Sequence, residues 1–297
     1  MRILDIGRTL FAVVMTMIIL IGSASLVAMA QDKVPDLEKN KMTIRIGQKA
    51  SVKVKNVPDS AKIKYLTSNK KVVTVSKTGR LTPKKTGKAV VKVTIKYKGK
   101  TKTLKCSIRV KQAIVAVIDG GAAKKQKVWK ALKTTDAGAR GPINGHAKRM
   151  IDVIRSEAPK AKILSIKVTD ASDKYIDPLG VIKALKLAKK YKASVVYVSF
   201  YGSVPDEEEY KLISELIKSG VRVVGPAGNN HGADARKVAW LTNMKGADCV
   251  GAWGKGKILA KSNKHANLYI EAGSTSKAAA RYAGMLANGK VYGVHKK

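Results

Sequence analysis

Two hydrophobic rhythms divide the chain. From about residue 38 to residue 111, apolar and polar positions alternate in short runs. Met42-Thr-Ile-Arg-Ile46 alternates, as does Ala50-Ser-Val-Lys-Val-Lys55, and Ile63, Tyr65, Val73 and Val75 continue the period. A period of two marks strands with one face buried. Ala89-Val-Val-Lys-Val-Thr-Ile-Lys-Tyr97 and Thr101-Lys-Thr-Leu-Lys-Cys-Ser-Ile-Arg-Val110 flank Lys98-Gly99, a hairpin signal. Asn56-Val-Pro-Asp59, Thr78-Gly79 and Thr86-Gly87 supply further turns. About seven short strands in roughly 70 residues predict a small all-β sandwich. Lysine repeatedly takes the outward positions, which also protects sheet edges.

The rhythm changes at Ala113. Ala113-Ile-Val-Ala-Val-Ile118 is a continuous apolar run, as expected of a strand buried on both faces. A helix is predicted from His146, with Met150, Ile151 and Ile154 as its apolar stripe and Gly141-Pro-Ile-Asn-Gly145 leading in. Residues 161–168 read as the next strand and 178–190 as an amphipathic helix. Residues 194–199 form another apolar strand, 207–218 a helix closed by Gly220, and 221–225 a strand. Strands alternating with helices predict an α/β unit with a doubly wound parallel sheet over 112–297. Near its end, Ser274 or Thr275 precedes an alanine-rich helical run, Ala278 to Gly284, small enough for close packing.

Composition adds the compartment and the partners. Residues 1–30 begin with Arg2 and Arg8, continue with an uncharged apolar run from Thr9, and end in Ala28-Met-Ala30. That is the layout of a signal peptide, though the run is also long enough for an uncleaved anchor. Both readings make the protein secreted or cell-surface, and no later segment is apolar enough to span a membrane. The chain of 297 residues carries 59 Lys and Arg against 20 Asp and Glu, a net charge of +39. The lysines are spread over nearly every element, and no nucleic-acid motif accompanies them, so nucleic acid is not the expected primary partner. Diffuse positive charge suits a solvated surface or attraction to an acidic cell-envelope polymer. The two cysteines, Cys106 and Cys249, form no framework; a bridge between them and two buried thiols both fit the sequence.

Four chemically capable residues fall at strand ends or helix starts: Asp119, His146, Asn229 and Ser276. A carboxylate ending a central parallel strand stands where α/β folds build their sites, although it also makes a good turn cap. A serine at a helix N-terminus sits among unpaired N–H groups that favour developing negative charge, but by itself it reads first as part of a helix cap, because serine caps are common.

Two resemblances sharpen this. Tyr65-Leu-Thr-Ser-Asn-Lys-Lys-Val-Val-Thr-Val-Ser76, Lys77-Thr-Gly79 and Gly87-Lys-Ala-Val-Val91 resemble bacterial Ig-like domains of group 2, which implies an adhesive or spacing module over 38–111. In the second unit, Val115-Ala-Val-Ile-Asp-Gly-Gly121, the His146 helix with its following strand, Val198-Ser-Phe-Tyr-Gly202, Val223-Val-Gly-Pro-Ala-Gly-Asn229 and Ser276-Lys-Ala-Ala-Ala-Arg-Tyr-Ala-Gly284 resemble, in order, five segments of subtilisin-like serine proteases. The order Asp, His, Ser is that family's order. The resemblance implies Ser276 as nucleophile, His146 as base, Asp119 as orienter and Asn229 as oxyanion donor. It implies Ser199, Phe200, Tyr201 and Gly202 as the strand that binds a polypeptide substrate. No cofactor and no metal site are expected.

The wording departs from the family at two neighbours of the reacting groups. Ala147 stands where glycine is usual and is expected to crowd a turn. Lys277 puts a cation beside the nucleophile. The interval from Asn229 to Ser276 is short, so pocket loops are trimmed. These readings predict an exported serine endopeptidase. The alternative is a catalytically weakened protein of the same fold that binds peptides or the cell envelope.

Overall fold

The computed structural model describes residues 34–136, 138–142, 145–170, 175–200, 202 and 204–296. The expected signal segment 1–30 and Tyr201 lie outside the described residues.

The first unit holds β1 (Asp36–Leu37), β2 (Lys41–Arg45), β3 (Ala50–Ser51), β4 (Val54–Lys55), β5 (Lys62–Thr67), β6 (Val73–Val75), β7 (Arg80–Pro83), β8 (Gly87–Tyr97) and β9 (Lys100–Lys111). A four-stranded sheet, β2-β9-β8-β5, and a three-stranded one, β3-β7-β6, enclose an aliphatic core around Val73, Leu81, Val91, Val93, Ile95 and Ile108. The β8–β9 hairpin turns on Lys98 and Gly99, both at positive φ (46° and 71°), the twist-matched two-residue turn that the sequence announces. Residues 50–55 were expected as one strand. They form two, in different sheets, because the chain crosses at Val52, which is buried in the core.

The second unit is built on β10 (Ile114–Asp119), β11 (Lys130–Lys133), β12 (Lys162–Lys167), β13 (Val195–Val198), β14 (Arg222–Pro226), β15 (Asp248–Gly254), β16 (Lys257–Ile258), β17 (Leu268–Glu271) and β18 (Val294–His295). Among the described residues these make one nine-stranded sheet, ordered β11-β12-β10-β13-β14-β15-β17-β18, with β16 against β15. Pairing is parallel except at β15–β16 and β17–β18. Every residue of β10 is buried. Val115 and Val117 face the layer of α1 (His146–Glu157) and α5 (Thr275–Asn288). Ile114, Ala116 and Ile118 face α2 (Pro178–Lys190) and α3 (Glu207–Lys218). A short α4 (Ala235–Val238) and a 3-10 turn (Trp240–Asn243) follow β14.

The strand order reverses at β10. The chain leaves it toward β11 and β12, then returns to its other side with β13. Such a switch point leaves a crevice at the carboxyl ends of the strands, where α/β folds bind ligands. The small residues of α5 let helices, not only the sheet, approach closely. A side chain on Gly284 would lie 2.7 Å from Glu157 Cβ and 2.8 Å from the Ile154 carbonyl oxygen of α1.

The two units touch through hydrogen bonds to backbone carbonyls. Lys49 N–H donates to Gly220 O at 2.8 Å, and the Arg45 guanidinium to Gln112 O at 3.0 Å. Cys106 and Cys249 are both buried free thiols, one in each unit, and do not pair. No helix among the described residues is long and apolar enough to cross a membrane.

Candidate active site

Asp119 closes β10 at the switch point and is 5% exposed. Its two oxygens do different work. Oδ1 accepts from the Gly120 N–H at 2.7 Å, so the turn-cap reading holds. Oδ2 lies 2.9 Å from His146 Nδ1, so the sequence-distant pair meets as well. An ionised carboxylate only accepts, which puts the proton on Nδ1 and leaves the Nε2 lone pair for another partner.

The turn after Asp119 is held from both sides. Gly121 has φ +85°, and a Cβ there would meet the Ala139 carbonyl, the Gly141 nitrogen and the Lys167 side chain at 3.1 Å each. Ala122 N–H donates to the hydroxyl of buried Ser165 at 2.8 Å, and Gly141 N–H to Ala122 O at 3.0 Å. This clasp brings the lead-in of α1 against the carboxylate. His146 is then the first residue of α1, with Gly145 as its N-cap. The expected crowding at Ala147 does not arise. It is the second helical residue, buried at 1% exposure, and has no positive φ.

Ser274, not Thr275, caps α5: its hydroxyl accepts from Lys277 N–H at 3.3 Å. Ser276 is therefore the second helical residue, among the unpaired N–H groups of the first turn. It is half-buried, while Lys277 is exposed and disturbs no packing. The Ser276 carbonyl accepts from Tyr197 Oη at 3.4 Å. Burial pushes the Tyr197 phenol well above its usual range, and the charge of Asp119 adds to this, so the hydroxyl stays a donor.

Asn229 lies past β14, after Gly228 at φ +94°. Its Oδ1 accepts from the Thr275 N–H at 3.2 Å, tying it to the turn that carries Ser276. The amide's remaining capacity is its Nδ2 donor pair. The loop around it is braced by Asn263, fully buried. Asn263 Nδ2 donates to Ala227 O at 2.8 Å and to Asn230 Oδ1 at 3.1 Å, and its Oδ1 accepts from Asn230 N–H at 2.8 Å.

Of the expected substrate strand, Ser199, Phe200 and Gly202 are half-buried past the end of β13. Ser199 N–H donates to Ile118 O at 3.2 Å, beside Asp119, and Gly202 O accepts from Trp240 N–H at 2.8 Å. Phe200 packs on the core below. The other histidines lie elsewhere: His231 and His265 are exposed at positive φ, and His295 stacks on Trp253 with centroids 4.3 Å apart.

Ser165, Tyr197 and Asn263 escape a sequence reading. Lys261-Ser-Asn-Lys264 looks like an ordinary polar loop, and only burial shows that Asn263 is a strut.

Comparison with known proteins agrees with this architecture. Residues 35–106 match the bacterial Ig-like domain (group 2). No curated protein matches the sequence. Solved structures that resemble the fold include a cold-adapted subtilisin-like serine proteinase (19% identity, TM-score 0.50) and the prenylagaramide maturation protease PagA (17% identity, TM-score 0.50). Each match covers 59% of this chain and 74% of the other. The chain thus joins a bacterial Ig-like domain of group 2 to an α/β unit with the subtilisin-like fold.

Proposed function

We propose that the protein is an exported serine endopeptidase that hydrolyses peptide bonds with Ser276, His146 and Asp119, assisted by Asn229. The observation that carries this is the 2.9 Å contact of His146 Nδ1 with buried Asp119, at the strand ends where Asn229 is bonded to the helix turn bearing Ser276. A polypeptide lies along residues 199–202 by strand addition, offering its backbone to theirs. His146 Nε2 takes the Ser276 hydroxyl proton as Oγ forms a bond to the scissile carbonyl carbon. The carbonyl electrons move to oxygen, and the oxyanion accepts from Asn229 Nδ2 and the Ser276 N–H at the helix N-terminus. The imidazolium, held by Asp119, gives its proton to the leaving amine. Water then repeats the sequence on the acyl-enzyme and frees Ser276.

Export follows from the apolar segment at 1–30, and it would place the Ig-like domain as spacer at the cell surface. The test is labelling with a serine-directed fluorophosphonate, together with casein hydrolysis. Wild type is expected to label and cleave, and Ser276→Ala to do neither. Asp119→Asn is expected to stay folded and lose about 10⁴-fold in kcat, because the imidazole tautomer is no longer fixed. Folded wild type that neither labels nor cleaves overturns the reading and leaves a peptide-binding protein.

A further inference from the structure

The outer face of the four-stranded sheet in the first unit carries its positive charge in an arrangement that opposes folding. The register sets Lys88 opposite Arg109, Lys92 opposite Lys105, and Lys96 opposite Lys62. All six side chains are exposed. Directly opposed residues have Cβ atoms about 5 Å apart, and like charges there destabilise a sheet. The four strands contain no Asp or Glu. Among the described residues none of the six cations is paired with a carboxylate.

Edge protection does not account for the pattern. The sheet order is β2-β9-β8-β5, so β8 and β9, which carry five of the six cations, are interior strands with both edges paired. The rungs recur every fourth residue of β8, roughly 13 Å apart along a straight strand. The result is a line of paired cations centred on β8, two pairs shared with β9 and the third with β5. Its exposed apolar side chains are Leu66 and Val90, and it presents no aromatic platform on which bases could stack.

We propose that this face docks a linear phosphate-linked polyanion without bases, lying along β8 and crossing from its β9 side to its β5 side. Each rung offers two cations to one point, which suits a phosphate with two unesterified oxygens in the polymer backbone. Binding relieves the repulsion that the bare face carries. This does not depend on the proteinase reading, and it gives the Ig-like domain an attachment role.

The test uses the full chain with Ser276→Ala, to prevent self-cleavage, and fluorescently labelled inorganic polyphosphate read by anisotropy. One variant carries Lys88→Gln, Lys92→Gln and Lys96→Gln. A control carries Lys84→Gln, Lys160→Gln and Lys290→Gln, three exposed lysines in the cleft between the units. Both lower the charge equally. The face variant is expected to lose at least about tenfold in affinity and roughly two from the slope of log K against log salt, while the control stays within about threefold. Without ligand, the face variant is also expected to melt higher than its parent, which separates lost binding from lost folding. Equal losses in both variants, no binding by the parent, or equal affinity for poly-glutamate or duplex DNA each overturn the proposal.

Discussion

At the scale of single residues, the candidate site rests on buried polar groups set back from the proposed reacting atoms. Asn263 is the sharpest case. Its amide fills three hydrogen bonds inside the loop that carries Asn229. Asn263→Ala leaves the buried Ala227 carbonyl without that donor, at a cost of about 1–3 kcal/mol. In the proposed mechanism Asn263 would act only by positioning Asn229 through its neighbours Ala227 and Asn230, so the expected kinetic loss is in kcat, with KM nearly unchanged. Loss of the oxyanion donor in subtilisin costs about 10²–10³ in kcat, so Asn263→Ala should lie below that ceiling. In an Asn229→Ala background it should cost nothing further in kcat. A double-mutant cycle checks this, and full additivity would sink the positioning role. The same residue shows where a sequence reading stops. Asp119, His146, Asn229 and Ser276 stand in segments whose order resembles a family, so they can be named from the chain. Asn263 stands in a lysine-rich loop, and only the fold reveals that it is buried.

At the scale of elements, packing decides between competing preferences. Gly284 lies inside α5, where Ala is favoured over Gly by about 1 kcal/mol. Yet its missing side chain is what lets α5 meet Ile154 and Glu157 of α1. Overpacking costs about 1–3 kcal/mol, so Gly284→Ala is expected to destabilise on balance, and Gly284→Val more. Urea unfolding checks the order of midpoints.

The first turn of α3 gives a pH signature. Burial, with a contribution from Asp206, pushes Glu209 up to about 7, although carboxylates are normally favoured at a helix N-terminus. A carboxyl raised in the folded state contributes stability that is full below its unfolded value of 4.5 and is lost as pH rises through about 7. Glu209→Gln removes that loss. Relative to wild type it should gain about 1 kcal/mol between pH 4.5 and 8, after allowance for partial exposure. Melting curves at the two pH values check it; parallel curves would contradict the sign. Elements with strong periods and clear ends, α2 and α3, match their sequence reading residue for residue. The strands β11 and β15 to β18 went unpredicted. They are short, or interrupted by a glycine, Gly251 in β15, and their pairing depends on distant partners that no local pattern records.

At the scale of the whole molecule, the question is whether the Ig-like domain influences the site. The junction lies at the far end of the sheet. Lys49 bonds Gly220, just before β14 begins, whereas Asn229 follows the end of that strand. A Cβ on Gly220 would sit 2.1 Å from the Lys49 carbonyl oxygen, and Gly220 has φ +89°. Gly220→Ala should therefore force residue 49 away and cost about 1–2 kcal/mol of local strain besides. The Lys49 amide should lose hydrogen-exchange protection, and the calorimetric transition should broaden or split as the two units unfold less cooperatively. β14 pairs β13 over Arg222–Val224 and β15 over Val224–Pro226, so each of its residues is held in the sheet on at least one side and a displacement at its start has to move paired strand to reach Asn229. The expectation is that kcat/KM on a small peptide ester stays within about twofold while docking is lost. A parallel fall in docking and activity would mean that the units communicate, and that the Ig-like domain helps set the geometry of the site.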